Sequence, residues 1–170
     1  MCKISVITVC WNCVGEIEKT LKSVLAQTYS NIEYIVIDGA STDGTLDIIN
    51  RYKSKISILV SEPDKGIYNA MNKGVKLATG KWCIFMNAGD KFASDNVVSE
   101  MFASNSPKDS TKVYYGNTTY VYEDGTKQSL KAAPVYPIIQ RCQPYCHQSA
   151  FFYIEDKRSP FFDEQYKIVS

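Results

Sequence analysis

Four apolar runs in this chain each end in a polar stretch, and those stretches hold the side chains suited to chemistry. The run at 82–86, Trp-Cys-Ile-Phe-Met, carries no charge and leads into Asn87-Ala-Gly-Asp90. A carboxylate at the end of a buried strand is a hard oxygen ligand suited to Mg²⁺ or Mn²⁺, ions that share their coordination sphere with substrate phosphates. Asp38 closes the run at 32–37 and can accept hydrogen bonds from a base or a ribose. Asn12 follows the run at 4–9, and Glu62 and Asp64 follow the run at 56–60. Lys65, beside Asp64, can pair with a phosphate. Taken singly, each acid is more often a helix cap or turn former than a ligand. Together they suit a nucleotide whose diphosphate is bridged by a metal.

These groups act together only if the strands before them run parallel. Ile17, Leu21, Val24 and Leu25 recur at helical spacing within 16–27. Leu46, Ile49 and Tyr52 form a second such face, and Ile67, Ala70, Met71, Gly74, Val75 and Ala78 a third, ended by Gly80. Strands alternating with helices through short joins predict an α/β fold: a mostly parallel, Rossmann-like sheet flanked by helices with right-handed crossovers. All four strand ends then reach one edge, where open sheets bind ligands. Past residue 92 the pattern changes. A short helix is expected at 95–102, an antiparallel hairpin where 113–122 and 126–130 flank Glu123-Asp-Gly, an irregular loop over the three prolines of 133–144, and a last strand at 149–154. The terminal stretch from Phe161 is too apolar for a solvated tail and predicts a chain cut within its domain.

Bulk properties narrow the function. A net charge of +1 argues against nucleic-acid binding resting on charge. No signal peptide is read before the first strand, and no apolar run approaches the roughly 20 residues of a membrane span. Cys10-x-x-Cys13 and Cys142-x-x-x-Cys146-His147 invite redox or zinc readings, but the spacings lack a paired ligand pattern. With cysteines in apolar strands, a reducing, cytoplasmic compartment is expected. Dinucleotide, P-loop and nucleophile-elbow glycine motifs do not occur. His147, the single histidine, with Gln148 reads either as part of an acceptor edge or as a hydrogen-bonded group ordering a proline-rich loop.

The stretches 4–12, 23–45, 64–74, 78–80 and 85–90 resemble, in order, the motifs of the family 2 glycosyltransferases, which have the GT-A fold. Residues 146–152 and 162–168 are similar to the branch that builds bacterial capsule, exopolysaccharide and lipopolysaccharide sugars. The resemblance implies a single domain over 1–170, with a donor-binding half at 1–92 and an acceptor-side half at 93–170. It implies that Thr8 and Asn12 line the nucleotide pocket, that Asp38 meets the uracil or ribose, and that Asp64 and Lys65 lie near base and diphosphate. Asn87 to Asp90 stands where the family has Asp-x-Asp, but Asn87 replaces the leading acid, leaving Asp90 as the one carboxylate for Mg²⁺ or Mn²⁺.

The implied reaction is an inverting displacement. A sugar moves from a nucleotide-diphosphate donor, UDP-sugar favoured, to a saccharide or lipid-linked acceptor, compatible with peripheral association at the inner face of the membrane. The family's catalytic base falls beyond Ser170, with Asp163, Glu164 and His147 as the weaker candidates inside this chain. Two alternatives stand beside this reading: a nucleotide-sugar-binding module without turnover, or a fragment lacking its base. A nucleotidyltransferase would want a glycine-rich, basic loop after the first strand, which Cys10-Trp-Asn-Cys-Val-Gly15 is not.

Overall fold

The computed structural model describes residues 2–103, 112–132, 146–154 and 161–166. The first half runs β1 (Ile4–Cys10), α1 (Ile17–Leu25), β2 (Ile32–Asp38), α2 (Thr45–Arg51), β3 (Ile58–Ser61), α3 (Ile67–Leu77) and β4 (Trp82–Phe85). Then follow α4 (Val97–Ala103), β5 (Val113–Tyr115), β6 (Thr118–Val121), β7 (Lys127–Leu130) and β8 (Ala150–Tyr153). The main sheet has the order β3-β2-β1-β4-β8-β5, with β1 to β4 mutually parallel and β8 antiparallel to both its neighbours. This is the mixed α/β architecture, mostly parallel and helix-flanked, that the periodicities predict.

Every residue of β1 is buried, so the strand feeds two cores. Ile4, Val6 and Cys10 pack with Ile17, Leu21 and Val24 of α1 and Ile49 of α2. Ile7 and Val9 face the other way, against Ala70, Met71 and Val75 of α3. Alternation along a strand sends successive side chains to opposite faces, which is why a continuous apolar run suits a strand covered on both sides. A Cβ on Gly74 of α3 would run into the Ile7 side chain, so glycine there lets the helix lie directly on β1.

The winding has one reversal. The chain steps outward from β1 to β2 to β3, then α3 crosses the opposite face and β4 lands on the other side of β1. The switch point therefore lies between β1 and β4. Open α/β sheets bind ligands outside the carboxyl ends of the strands at such a point.

The second half departs from the expected plain hairpin. Val113–Tyr115 leaves it to pair with β8, while β6 and β7 form the two-stranded sheet. Two contacts fix the break: Gly116 N–H donates to the Ser149 carbonyl at 3.0 Å, and Ser149 Oγ donates back to the Gly116 carbonyl at 3.1 Å. Tyr114 then joins an aromatic cluster with Trp82 and Phe102. The 161–166 segment docks on α3. Asn72 Nδ2 donates to the Phe162 carbonyl, and Phe162 N–H donates to Asn72 Oδ1, both at 2.8 Å. The expected loop at 133–144, Cys142 and the last four residues lie outside the described residues. Among the described residues no helix is long and apolar enough to cross a membrane.

Candidate functional site

Register aligns the strand ends. Cys10 pairs with Asp38, and Asp38 with Ser61. The Asp38 carboxylate is fully buried and accepts from Ser61 Oγ at 2.6 Å, from Ser41 N–H at 3.1 Å and from the Ser41 hydroxyl. These acceptor bonds shape the loop after β2. Thr8 is also fully buried, donating to the Met86 carbonyl at 2.7 Å and sharing a hydrogen bond with Tyr34 Oη at 3.0 Å. It lies buried at the end of β1, beneath the rim. In both cases polar side chains at the strand ends find partners on neighbouring strands, because an unpartnered buried polar group is costly.

Asn12 does reach the surface. With φ at +46° it turns the chain, its Oδ1 accepts Thr42 N–H at 2.9 Å, and its own N–H donates to Ser41 Oγ at 2.9 Å. Val14 N–H adds a bond to Asp43 Oδ2 at 2.9 Å. The loops after β1 and β2 are therefore one bonded unit. On it stands Trp11, 67% exposed. A Cβ at Gly39 would lie 3.3 Å from Trp11 Cδ1 and 2.6 Å from Asp64 Oδ2, so indole, bare backbone and carboxylate converge. Asp64 Oδ1 accepts Gly66 N–H at 2.9 Å, which holds that acid at the end of β3, with exposed Lys65 beside it. An exposed ring flanked by an acceptor suits a flat heterocycle. Sequence reading missed Trp11; its signal was a large ring directly before a strand-end asparagine, past the reach of the core.

The loop after β4 forms the other wall. Ala88 N–H donates to the Val9 carbonyl at 3.3 Å, so this loop runs beside the end of β1. Thr20 of α1 donates to the Asp90 carbonyl at 2.8 Å and accepts Gly89 N–H at 3.0 Å. Burial pushes the Asp90 carboxyl above its ordinary range, offset in part by hydrogen bonds from Asn87 N–H and the Gln148 side chain. Gln148 and Asp90 are thus brought together from the two halves of the chain. Asn87 Oδ1 is buried without a hydrogen-bond partner, as is His147 Nε2. The 3-10 turn carrying His147 packs on β4, and burial pushes the imidazole below its ordinary value, favouring the neutral ring.

A divalent cation fits this loop. Asp90 and the unpartnered Asn87 Oδ1 are both hard oxygen donors. Among the described residues no group of three or more His, Cys, Asp or Glu could hold a metal ion, so a cation here would draw the rest of its sphere from ligand oxygens and water. Asp163 and Glu164 sit elsewhere, against α3. Glu164 accepts from Asn69 and Asn72, both at 2.9 Å, and those bonds pull its carboxyl below the ordinary range, which makes it a poor base. Asp163 Oδ1 accepts Gln165 N–H at 2.9 Å in a local turn.

Fold and rim define a doubly wound α/β domain with polar loops gathered at the carboxyl edge of its sheet. The sequence matches Glycosyl transferase family 2 over residues 5–167, and the chain belongs to that family. It is 33% identical over 121 residues to the Escherichia coli UDP-Glc:alpha-D-GlcNAc-diphosphoundecaprenol beta-1,3-glucosyltransferase WfaP, covering 71% of this chain and 47% of that protein. The chain thus spans about half the length of the curated relatives it matches. The S. aureus TarS 1–349 structure in complex with UDP superposes with a TM-score of 0.70 at 23% identity, over 89% of this chain and 46% of that one. Mannosyltransferase PcManGT from Pyrobaculum calidifontis, in complex with GDP-Man and Mn²⁺, gives 0.58 at 24% identity over 68% and 35%. These two structures share the GT-A fold with this chain.

Proposed function

We propose that this chain is a single GT-A domain that takes a sugar from a nucleotide diphosphate, UDP-sugar favoured, to a saccharide or lipid-linked acceptor in surface polysaccharide synthesis, with inversion and a divalent cation. The observation that carries the reading is the pairing of two walls at the switch point: Trp11, Gly39 and Asp64 on one side, Asn87 and Asp90 on the other. Trp11 stacks on the base, and Asp64 accepts from base or ribose. Asn12 fixes the loop that presents Trp11. Asp90 and Asn87 hold Mg²⁺ or Mn²⁺, which when bound offsets charge on the departing diphosphate. Lys65 pairs with phosphate. Gln148, tied to Asp90, orders the acceptor side with neutral His147. Neither Asp163 nor Glu164 is assigned as the base. WfaP, whose name carries a UDP-glucose donor and a diphosphoundecaprenol-linked acceptor, supports the donor class and a lipid-linked acceptor.

The test is a thermal-shift panel of UDP, GDP, dTDP and CDP with and without Mn²⁺. A ligand at about 100 times its Kd adds ~2.7 kcal/mol, or roughly 5–10 °C for a domain of this size. UDP with Mn²⁺ is expected to give the largest shift; no shift with any nucleotide overturns the reading. The lone carboxylate at 87–90 favours a second reading, a binding module without turnover. UDP binding without transfer from, or hydrolysis of, any UDP-sugar by the full-length protein selects it.

A further inference from the structure

The segment 161–166 carries a carboxylate that the proposed chemistry leaves without a role. Glu164 lies against α3, where its Oε2 accepts from Asn69 Nδ2 and its Oε1 from Asn72 Nδ2, both at 2.9 Å. Asn72 is almost fully buried and is tied to the same segment by its reciprocal bonds with Phe162. The Phe162 ring stacks on Tyr68, with centroids 5.2 Å apart. The segment is thus fixed against α3, and Glu164 with it.

Asn69 has a second partner. Its Oδ1 accepts the N–H of Lys65 at 3.2 Å. The next N–H, that of Gly66, donates to Asp64 Oδ1 at 2.9 Å. Gly66 begins α3 with φ at +120° and has no side chain to cap it, so Asn69 and Asp64 shape the turn 64–66 between them. The other oxygen of Asp64 faces Gly39 at the rim, and Lys65 is exposed beside it. A chain of hydrogen bonds therefore runs from Glu164 through the Asn69 amide to the Lys65 backbone. An asparagine amide has a donor end and an acceptor end of similar shape, whereas a carboxylate only accepts. Glu164 thus sets which end faces which way: Nδ2 toward the segment, Oδ1 toward Lys65. The donors, Asn72 first and Asn69 next, draw the Glu164 carboxyl below its ordinary range, so the acceptor is present at neutral pH.

We propose that Glu164 is a positioning residue for the nucleotide: through Asn69 it holds the turn 64–66, and with it Asp64 and Lys65, in the shape that receives base and diphosphate. The effect on the nucleotide rests on the proposed function; the hydrogen-bond chain does not. The sign of the effect separates this role from a direct one. A carboxylate acting through space alone repels a diphosphate, so removing it tightens binding. A carboxylate acting through Asn69 orders the turn, so removing it weakens binding.

The test combines NMR-detected amide hydrogen exchange with UDP titration in Mn²⁺, on wild type, Glu164→Ala, Asn69→Ala and the double variant. The Glu164 side chain is exposed, so its loss leaves the core intact. Glu164→Ala is expected to speed exchange at the Lys65 amide while exchange along β1 stays as in wild type. It is expected to weaken UDP about threefold to tenfold, the worth of one such bond. Asn69→Ala is expected to weaken UDP at least as much, and the double variant no more than Asn69→Ala, because both residues lie on one chain of bonds. Unchanged or tighter UDP binding in Glu164→Ala, or losses that add in the double variant, overturns the proposal. If wild type binds no UDP, the nucleotide reading and the positioning role both fall, while exchange at Lys65 still decides whether Glu164 orders the turn.

Discussion

The hydroxyl of Thr20 joins α1 to the loop after β4: it donates to the Asp90 carbonyl at 2.8 Å and accepts the N–H of Gly89 at 3.0 Å. Gly89 has φ at +98°, a conformation in which a side chain would be strained, so the loop depends on glycine for its shape and on Thr20 for its place. Thr20→Val keeps the volume but strands a backbone donor and an acceptor, at a cost of ~1–3 kcal/mol. Urea unfolding should report that loss, and UDP titration should report weaker binding in Mn²⁺ with little change in metal-free binding. Thr20→Ser should restore both. A valine variant with intact metal-dependent affinity would remove Thr20 from the site.

Asp90 sets stability against binding. Burial raises its carboxyl pKa, so the ionised form costs the folded state free energy, a cost that appears as pH rises past the ordinary carboxylate range. Asp90→Asn carries no charge to desolvate. Near neutral pH the ligand-free variant is expected to melt at or above wild type, yet to lose the Mn²⁺-dependent part of the UDP shift. A variant that melts lower and keeps that part would contradict both the burial argument and the ligand assignment.

Trp11 provides an optical readout. It is 67% exposed, whereas Trp82 is 2% exposed and packed among Phe102, Tyr114 and Tyr153. UDP should quench Trp11 emission, and Trp11→Phe should abolish the quench while Trp82 still fluoresces. Trp11→Ala should weaken UDP by about 1–3 kcal/mol, the usual worth of a base on an aromatic ring. Its fold stability should stay within about 0.5 kcal/mol of wild type, as for other surface changes. Equal quenching in wild type and the phenylalanine variant would place the base elsewhere.

The parallel half was legible because its signals are local. Ile17, Leu21 and Val24 mark one face of α1, and the apolar runs of β1, β2 and β4 stand between turn formers. What the sequence hid depends on partners far along the chain. Asp38 reads from sequence as a strand-end acceptor, without a sign that Ser61, 23 residues on, donates to it. Tyr114 reads as part of a hairpin until Trp82 and Phe102 are found beside it. Nothing local to Asn72 in α3 announces that it clamps Phe162 90 residues away. Asn12, Asp64 and Asp90 do reach one edge, since parallel strands leave no other place for their loops.

At the opposite edge of the sheet, Glu33 yields a pH dependence unrelated to ligand. Its buried carboxylate accepts from Thr79 N–H and Thr79 Oγ1, both at 2.6 Å, from Ser5 Oγ at 2.7 Å and from Lys3 Nζ at 3.3 Å. Burial opposes the charge, but the four donors outweigh it and hold the carboxyl down to about 2, from an ordinary 4.5. A depressed folded pKa contributes stability that is present above the unfolded value and is lost as pH falls through the folded one. The window is therefore 4.5 down to about 2, and the contribution ~3 kcal/mol. Glu33→Gln replaces an acceptor oxygen with an NH₂ facing the same donors, so it should be less stable near neutral pH and lose less on acidification. Urea midpoints measured across that window for both proteins decide it: parallel curves would mean that Glu33 is not the group whose protonation loosens this edge.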